Sequence, residues 1–367
     1  MQTNRRNWLK QAGIVAAGMG LQSFNGLSAN ANGKFIRKTV DDKIHLDANE
    51  NPYGPSQAAR AAMMAQVADS NRYNWDIRSS LIAAIAKKHN VGEDNILLGA
   101  GSTEILDLMV RFSALEKGSI VVADPTFGYW VGTAQKMGME KITVPLTADK
   151  HHNLPEMLKA IKSDTRLLYF CNPNNPTGTI CEREELLSFV DEASRKTMVL
   201  VDEAYLDFTD QPSLCDQVAE NKHLVIAKTF SKIYGMAGAR VGYAIAHPET
   251  IERISRFQLW ANGTTSVVSA AGAIVSLRDS EFVSTTKLLN EKARTFTIKQ
   301  LEKLNIRCIP SNTNFIYFSL ANYGKDYFKQ IENNNIVGTR IYEEKGKWSR
   351  ITVGTIDEMQ AFVTALA

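Results

Sequence analysis

The chain has 367 residues, 44% of them hydrophobic and 22% charged, with a net charge of +3. Arg5, Arg6 and Lys10 supply that excess within the first 31 residues, which hold no Asp or Glu, so the remainder is balanced. A balanced surface argues against nucleic acid or an anionic membrane as the partner, and the length supports a large core split between a larger and a smaller domain.

The chain opens with Asn4-Arg5-Arg6-Asn7-Trp8-Leu9-Lys10, a weakly apolar stretch from Ala12 to about Phe24, and the small-x-small triplet Ala29-Asn30-Ala31. In that order these read as a twin-arginine export signal over 1–31 with a cleavage site. The bland alternative is a basic N-terminus that happens to carry two arginines. Gly13, Gly18, Gly20, Gln22 and Ser23 make the stretch a poor membrane span, so no stable span is expected once the signal is removed. The expected location is periplasmic, or cytoplasmic if the signal is not used.

From 57 to 260, short runs that are apolar throughout alternate with helical stretches. The runs fall at 95–98, 120–123, 167–170, 198–201, 224–227 and 242–245. Such runs suit strands buried on both faces of a mostly parallel sheet, with crossover helices between them. One helix is predicted over 182–196, where Leu186, Leu187, Val190 and Ala193 share a face. Residues 261–367 read as a smaller α+β domain: a long helix over 280–304, a strand at 314–318, a helix over 326–333, a strand at 350–353 and a final helix. The predicted class is α/β, a large domain with helices on a mostly parallel sheet plus this smaller one. The four cysteines, Cys171, Cys181, Cys215 and Cys308, show no metal spacing and read as buried thiols, with a disulfide the open alternative.

Ligands of an open parallel sheet sit beyond the carboxyl ends of its strands, and the polar residues cluster there. Gly99-Ala100-Gly101-Ser102-Thr103-Glu104 follows the first run and opens a helix, whose free N–H groups suit a phosphate. A dinucleotide fingerprint is disfavoured, because Glu104 stands where a third glycine belongs, although Asp124 mimics its ribose-binding acid. Asn172-Pro173-Asn174-Asn175-Pro176-Thr177-Gly178 is a turn that presents amides, Asp202 ends a run, and Thr229-Phe230-Ser231-Lys232 and Arg240 follow another. An amine, a carboxylate, a guanidinium and an amide at these places are the parts that hold pyridoxal phosphate. Asp202 would keep its ring nitrogen protonated, and a partly desolvated Lys232 would be the nucleophile.

With these motifs the chain resembles the fold-type I pyridoxal-phosphate-dependent aminotransferases, in particular the branch around histidinol-phosphate aminotransferase, over nearly all of 45–366. The resemblance implies that Lys232 holds the cofactor covalently and moves a proton, and that Asn175 and Tyr205 bond the ring hydroxyl. It places Phe127 over the ring, and gives the phosphate to Gly101, Ser102, Thr103, Thr229, Ser231 and Arg240. Arg350, in Ser349-Arg350-Ile351-Thr352-Val353-Gly354, grips the substrate carboxylate by the same likeness, with Asn49, Tyr53 and Asn175 on the substrate side. The same likeness makes residues 32–56 an N-terminal arm packed with the smaller domain, and has Tyr73 reach the cofactor phosphate of a partner subunit, which implies a homodimer with shared sites. One departure stands out. The branch carries an arginine for the substrate phosphate where this chain reads Ile336-Val337-Gly338-Thr339-Arg340, so glycine fills that slot and Arg340 is displaced.

The expected reaction moves an amino group between an amino acid, histidinol phosphate or an aromatic one among the candidates, and a 2-oxo acid. A decarboxylase or a C–N or C–S lyase on the same scaffold is the alternative. An exported binding protein without catalysis is a third reading. No metal is expected.

Overall fold

The computed structural model describes residues 42–367, so the twin-arginine segment and the first part of the arm lie outside the described residues. The strands in chain order are β1 (Ile44–His45), β2 (Ile96–Gly99), β3 (Ser119–Asp124), β4 (Glu140–Pro145), β5 (Thr165–Cys171), β6 (Met198–Asp202), β7 (Leu224–Thr229), β8 (Gly242–Ala246), β9 (Arg307–Ile309), β10 (Phe315–Ser319), β11 (Ile336–Val337), β12 (Ile341–Glu343) and β13 (Trp348–Thr352). The helices are α1 (Gln57–Val67), α2 (Trp75–His89), α3 (Ser102–Ser113), α4 (Val131–Lys136), α5 (Leu154–Ala160), α6 (Arg183–Ser194), α7 (Pro248–Ser255), α8 (Val267–Ser276), α9 (Ser280–Lys303), α10 (Tyr327–Asn333) and α11 (Ile356–Leu366).

Seven strands form the main sheet in the order β2-β8-β7-β6-β5-β3-β4. β8 runs antiparallel to both neighbours, and the remaining pairs are parallel. Side chains alternate across a strand, and both faces are covered. Leu168, Phe170, Val199, Val201 and Ile226 enter one apolar cluster, and Leu167, Tyr169, Leu200, Val225 and Ala227 enter the other. Double-sided burial is why these strands read as unbroken apolar runs. Each Leu, Val, Ile or Phe side chain among them withdrawn from water contributes roughly 1.5–3 kcal/mol.

α6 buries Leu186, Phe189, Val190 and Ala193, and its N-cap Glu182 makes no side-chain capping bond, which accounts for the weak start signal in the sequence. β4 was not legible in the sequence, because this edge strand is largely exposed and carries Glu140 and Lys141.

The second sheet is antiparallel, in the order β12-β13-β10-β9. α9 starts at Asp279, whose side chain accepts from the Phe282 amide at 3.0 Å. α11 starts with a capping box, Thr355 with Glu358. The arm strand β1 pairs parallel with β11, and Leu46 joins the apolar cluster of this smaller domain. α8, beyond residue 260, instead puts Ala270 and Ala273 into a cluster of the main sheet. No helix among the described residues is long and apolar enough to cross a membrane. The four cysteines are free thiols.

Candidate active site

The carboxyl ends of β2, β5, β6 and β7 meet the amino end of β8 along one edge of the sheet, since β8 runs the other way. Register puts Gly242 opposite both Gly99 and Thr229. A cleft of about 230 Å³ opens there, and Ser102, Thr103, Phe127, Asp202, Tyr205, Thr229, Ser231, Lys232 and Arg240 all line it. Lys232 and Asp202 thus share one enclosure. A second crevice, of about 250 Å³, lies at the opposite ends of the strands near Thr165 and Met198. It contains none of these groups.

The turn before α3 is built for an anion. Gly101 sits at φ +82° and caps α3 without a side-chain bond, which leaves the first helical N–H groups for a ligand. A Cβ on Gly101 would lie 2.2 Å from the Arg240 guanidinium, so only glycine lets that cation approach. Arg240 donates to the Thr103 hydroxyl at 3.0 Å and to the Ala100 and Ala237 carbonyls at 3.2 and 2.8 Å. The Thr229 hydroxyl donates to Ser231 at 2.9 Å, next to the same guanidinium. Glu104 closes the turn by accepting from the Ala100 amide at 2.6 Å and the Thr264 hydroxyl at 2.6 Å. That structural task fills the position where a dinucleotide motif would need glycine.

Asp202 ends β6 with 2% of its surface exposed. The Tyr169 hydroxyl donates to its Oδ2 at 2.9 Å and the Ala204 amide to its Oδ1 at 3.0 Å. Burial raises its pKa to about 6, and these two donors and the Lys232 charge oppose that rise. Lys232, half-buried, donates to the Ala48 and Asn49 carbonyls of the arm, both at 3.1 Å. Desolvation first, then the Arg350 charge, lowers its pKa to about 8.

Tyr205 accepts from the Asn49 amide at 3.0 Å and the Asn175 amide at 3.3 Å. Burial pushes its phenol above the ordinary value. Asn175 in turn accepts from Arg350 at 2.7 Å, and Arg350 also donates to the Asp47 carbonyl at 2.6 Å. Arg350 lies in β13 with 7% exposure, and its Nε has no partner among the described residues. Its guanidinium sits 5.4 Å from the Phe315 ring and 5.5 Å from the Tyr342 ring.

Pyridoxal phosphate fits this donor set. It brings a phosphate for the glycine turn and Arg240, a ring nitrogen for a buried carboxylate, a hydroxyl for Tyr205 and Asn175, and an aldehyde for an amine of lowered proton affinity. Two sequence candidates, Tyr73 and Tyr53, lie away from these contacts. Tyr73 is 65% exposed, packed with Trp75 and Trp260. Tyr53 borders a small cavity with Phe208 and Asn290 rather than the cleft. Arg340 is exposed and lies 5.2 Å from the same Tyr342 ring that faces Arg350. The sequence reading missed Tyr169. Its signal was a phenol in a fully apolar run, where the hydroxyl needs a buried partner.

The lowered proton affinity of Lys232 is open to direct measurement. In cofactor-free protein, competitive acetylation read by mass spectrometry should label Lys232 half-maximally near pH 8. An inflection at the ordinary lysine value of 10.5 would contradict the electrostatics of this cleft.

The aminotransferase class I and II family model matches residues 41–366. A histidinol-phosphate aminotransferase of Moorella thermoacetica is 34% identical over 338 residues, 89% of this chain and 85% of that protein. One of Bacillus subtilis is 32% identical over 332 residues, 89% of this chain and 92% of that protein. The crystal structure of histidinol-phosphate aminotransferase from Sinorhizobium meliloti in complex with pyridoxal 5'-phosphate has a TM-score of 0.81. It is 24% identical, covering 94% of this chain and 98% of that one, and bears on the fold alone. The chain belongs to the aminotransferase class I and II family and is a pyridoxal-phosphate-dependent transaminase.

Proposed function

We propose that this transaminase takes amino acids by their α-carboxylate on Arg350, prefers donors with a planar aromatic side chain, and passes the amino group to a 2-oxo acid. The observation that carries the reading is Arg350 itself, a buried guanidinium whose Nε has no partner among the described residues and which lies 5.4 and 5.5 Å from the Phe315 and Tyr342 rings. A planar fork suits a carboxylate, and the half-exposed Tyr342 ring, which Arg340 also approaches at 5.2 Å, is an aromatic surface beside it.

The bound cofactor would supply an electron sink for charge developing at the substrate α-carbon. In this reading Asp202 holds the ring nitrogen, Tyr205 and Asn175 hold the ring hydroxyl, and Gly101, Ser102, Thr103, Thr229, Ser231 and Arg240 hold the phosphate. Phe127 covers one ring face. Lys232 anchors the aldehyde carbon and, once displaced by substrate, carries the proton from the α-carbon. A pKa near 8 suits both tasks near neutral pH.

The relatives are histidinol-phosphate aminotransferases, which favours a second reading with histidinol phosphate as donor. Gly338 weighs against it. A Cβ there would meet Ile331 Cδ1 at 2.6 Å and the Tyr327 hydroxyl at 3.3 Å, so the position faces the core of the smaller domain. Arg340 remains as a cation for a distal anion, but an exposed charge is worth only about 1 kcal/mol or less.

Single-turnover reactions of the holoenzyme with individual donors, followed by loss of cofactor absorbance, separate the two readings. Aromatic amino acids should exceed histidinol phosphate in kcat/KM. Arg350→Ala should lower that ratio for carboxylate donors roughly 100- to 1000-fold, as the loss of one partner of a buried charged pair does. A preference for histidinol phosphate that Arg340→Ala abolishes would establish the second reading instead.

We further propose a homodimer in which Tyr73 serves the partner's phosphate cup. Trp260 meets the stacked rings of Tyr73 and Trp75 edge-on, with 44–65% of each residue exposed, and Leu259 beside them is wholly exposed. Such an aromatic patch fits a protein interface. Light scattering should give twice the chain mass, and Tyr73→Phe should weaken cofactor affinity several-fold. A fully active monomer would overturn this.

A further inference from the structure

β5 and β6 are parallel neighbours, with Tyr169 opposite Leu200 and Cys171 opposite Asp202. Tyr169 is therefore diagonal to Asp202 on the same sheet face, within reach of a long aromatic side chain. It is wholly buried, and its hydroxyl donates to Asp202 Oδ2 at 2.9 Å. Its ring meets the Trp130 ring edge-on, with centroids 4.9 Å apart. Trp130 is wholly buried too, and its Nε1 donates to the Phe127 carbonyl at 3.2 Å. A continuous buried contact thus joins the residue at one edge of the cofactor site, Asp202, to the backbone that carries the ring over its face, Phe127.

A phenol here is not explained by packing. The neighbouring positions Leu167, Leu168 and Phe170 are plain apolar residues, and a hydroxyl buried in their company is unfavourable without a partner. The partner is the Asp202 carboxylate, and a donor to a carboxylate is among the stronger hydrogen bonds. We propose that Tyr169, braced by Trp130, is a positioning residue for the transamination reaction. It orients the Asp202 carboxylate and favours its charged form, while Trp130 sets the turn that places Phe127. The proposal rests on the assignment of Asp202 to the ring nitrogen. Burial works against the charge on Asp202, and the Tyr169 hydrogen bond is the first of the contributions that oppose it. The other titratable groups around this carboxylate are Lys232, Glu203, Cys171, Tyr205 and Tyr129. Tyr169→Phe leaves all of them in place.

The test reconstitutes the holoenzyme with cofactor labelled with nitrogen-15 in the ring and records that nitrogen's chemical shift, alongside the cofactor dissociation constant and the near-UV circular dichroism. In wild type the shift should report a protonated ring. In Tyr169→Phe, with its packing on Trp130 intact, the proton should move toward Asp202. The shift should then drift toward that of neutral pyridine, and the dissociation constant should rise about tenfold. Trp130→Phe, which removes the indole donor, should weaken cofactor binding while the ring stays protonated. An unchanged shift and affinity in Tyr169→Phe would overturn the proposal. An unchanged affinity in Trp130→Phe would remove the brace from it. Asp202→Asn separates the two levels: if that variant also keeps a protonated ring, the assignment of Asp202 fails. If only Tyr169→Phe is silent, the role of Tyr169 alone fails.

Discussion

A carboxylate taken out of water costs several kcal/mol unless charge or hydrogen bonds compensate it, and the architecture is arranged around one such group. Asp202 is 2% exposed, and both of its oxygens accept hydrogen bonds. The Lys232 amine, itself losing proton affinity through burial, lies in the same cleft and acts on it electrostatically. Each of these groups is ill at ease alone. Asp202 would hold the nitrogen of a bound pyridine ring as a cationic partner, and Lys232 would hold the aldehyde, whose ring would supply the electron sink. Perturbed pairs of this kind, enclosed in a cleft, are a physical mark of catalysis.

The sheet makes the juxtaposition possible. Because β5, β6 and β7 run parallel, their carboxyl ends deliver Asn172, Asp202 and Thr229 to one edge. β8, running the other way, brings Arg240 to that edge from its amino end. Alternation then sorts the neighbours of Asp202 and Thr229. Their sequence neighbours Glu203 and Lys228 form an ion pair at 3.0 Å, with each side chain 3% exposed. Ser213 and the Leu214 amide also bond that glutamate. The strand ends that bear the cofactor residues are thereby tied to each other a second time. The substrate side is made differently. Arg350 comes from a strand of the smaller sheet and reaches Asn175 of the main sheet's edge, so the proposed carboxylate grip would span both.

Much of the site was legible because it depends on local chemistry. A glycine at φ +82° before a helix, an asparagine turn after an apolar run and a lysine in Thr229-Phe230-Ser231-Lys232 are short-range patterns, and the fold leaves them where their strands end. The six apolar runs were legible because burial on both faces erases alternation. β4 was not, since an edge strand with Glu140 and Lys141 carries no such mark. Tyr169 was overlooked because its role comes from a neighbouring strand's register rather than from its own sequence context. Arg340 came to the substrate side through the family resemblance, and its side chain lies exposed over Tyr342, the ring that also faces Arg350. Tyr73 is legible only through the family resemblance: its ring is exposed, and the role proposed for it needs a second copy of the chain.

The central claim is that these side chains converge on one aldehyde-bearing ring anchored at Lys232. The most direct test is reduction of the cofactor-loaded protein with borohydride, followed by proteolysis and mass spectrometry. A single pyridoxyl group on the peptide that contains Lys232 is the predicted result. Modification of a different lysine, or of none, would contradict the account.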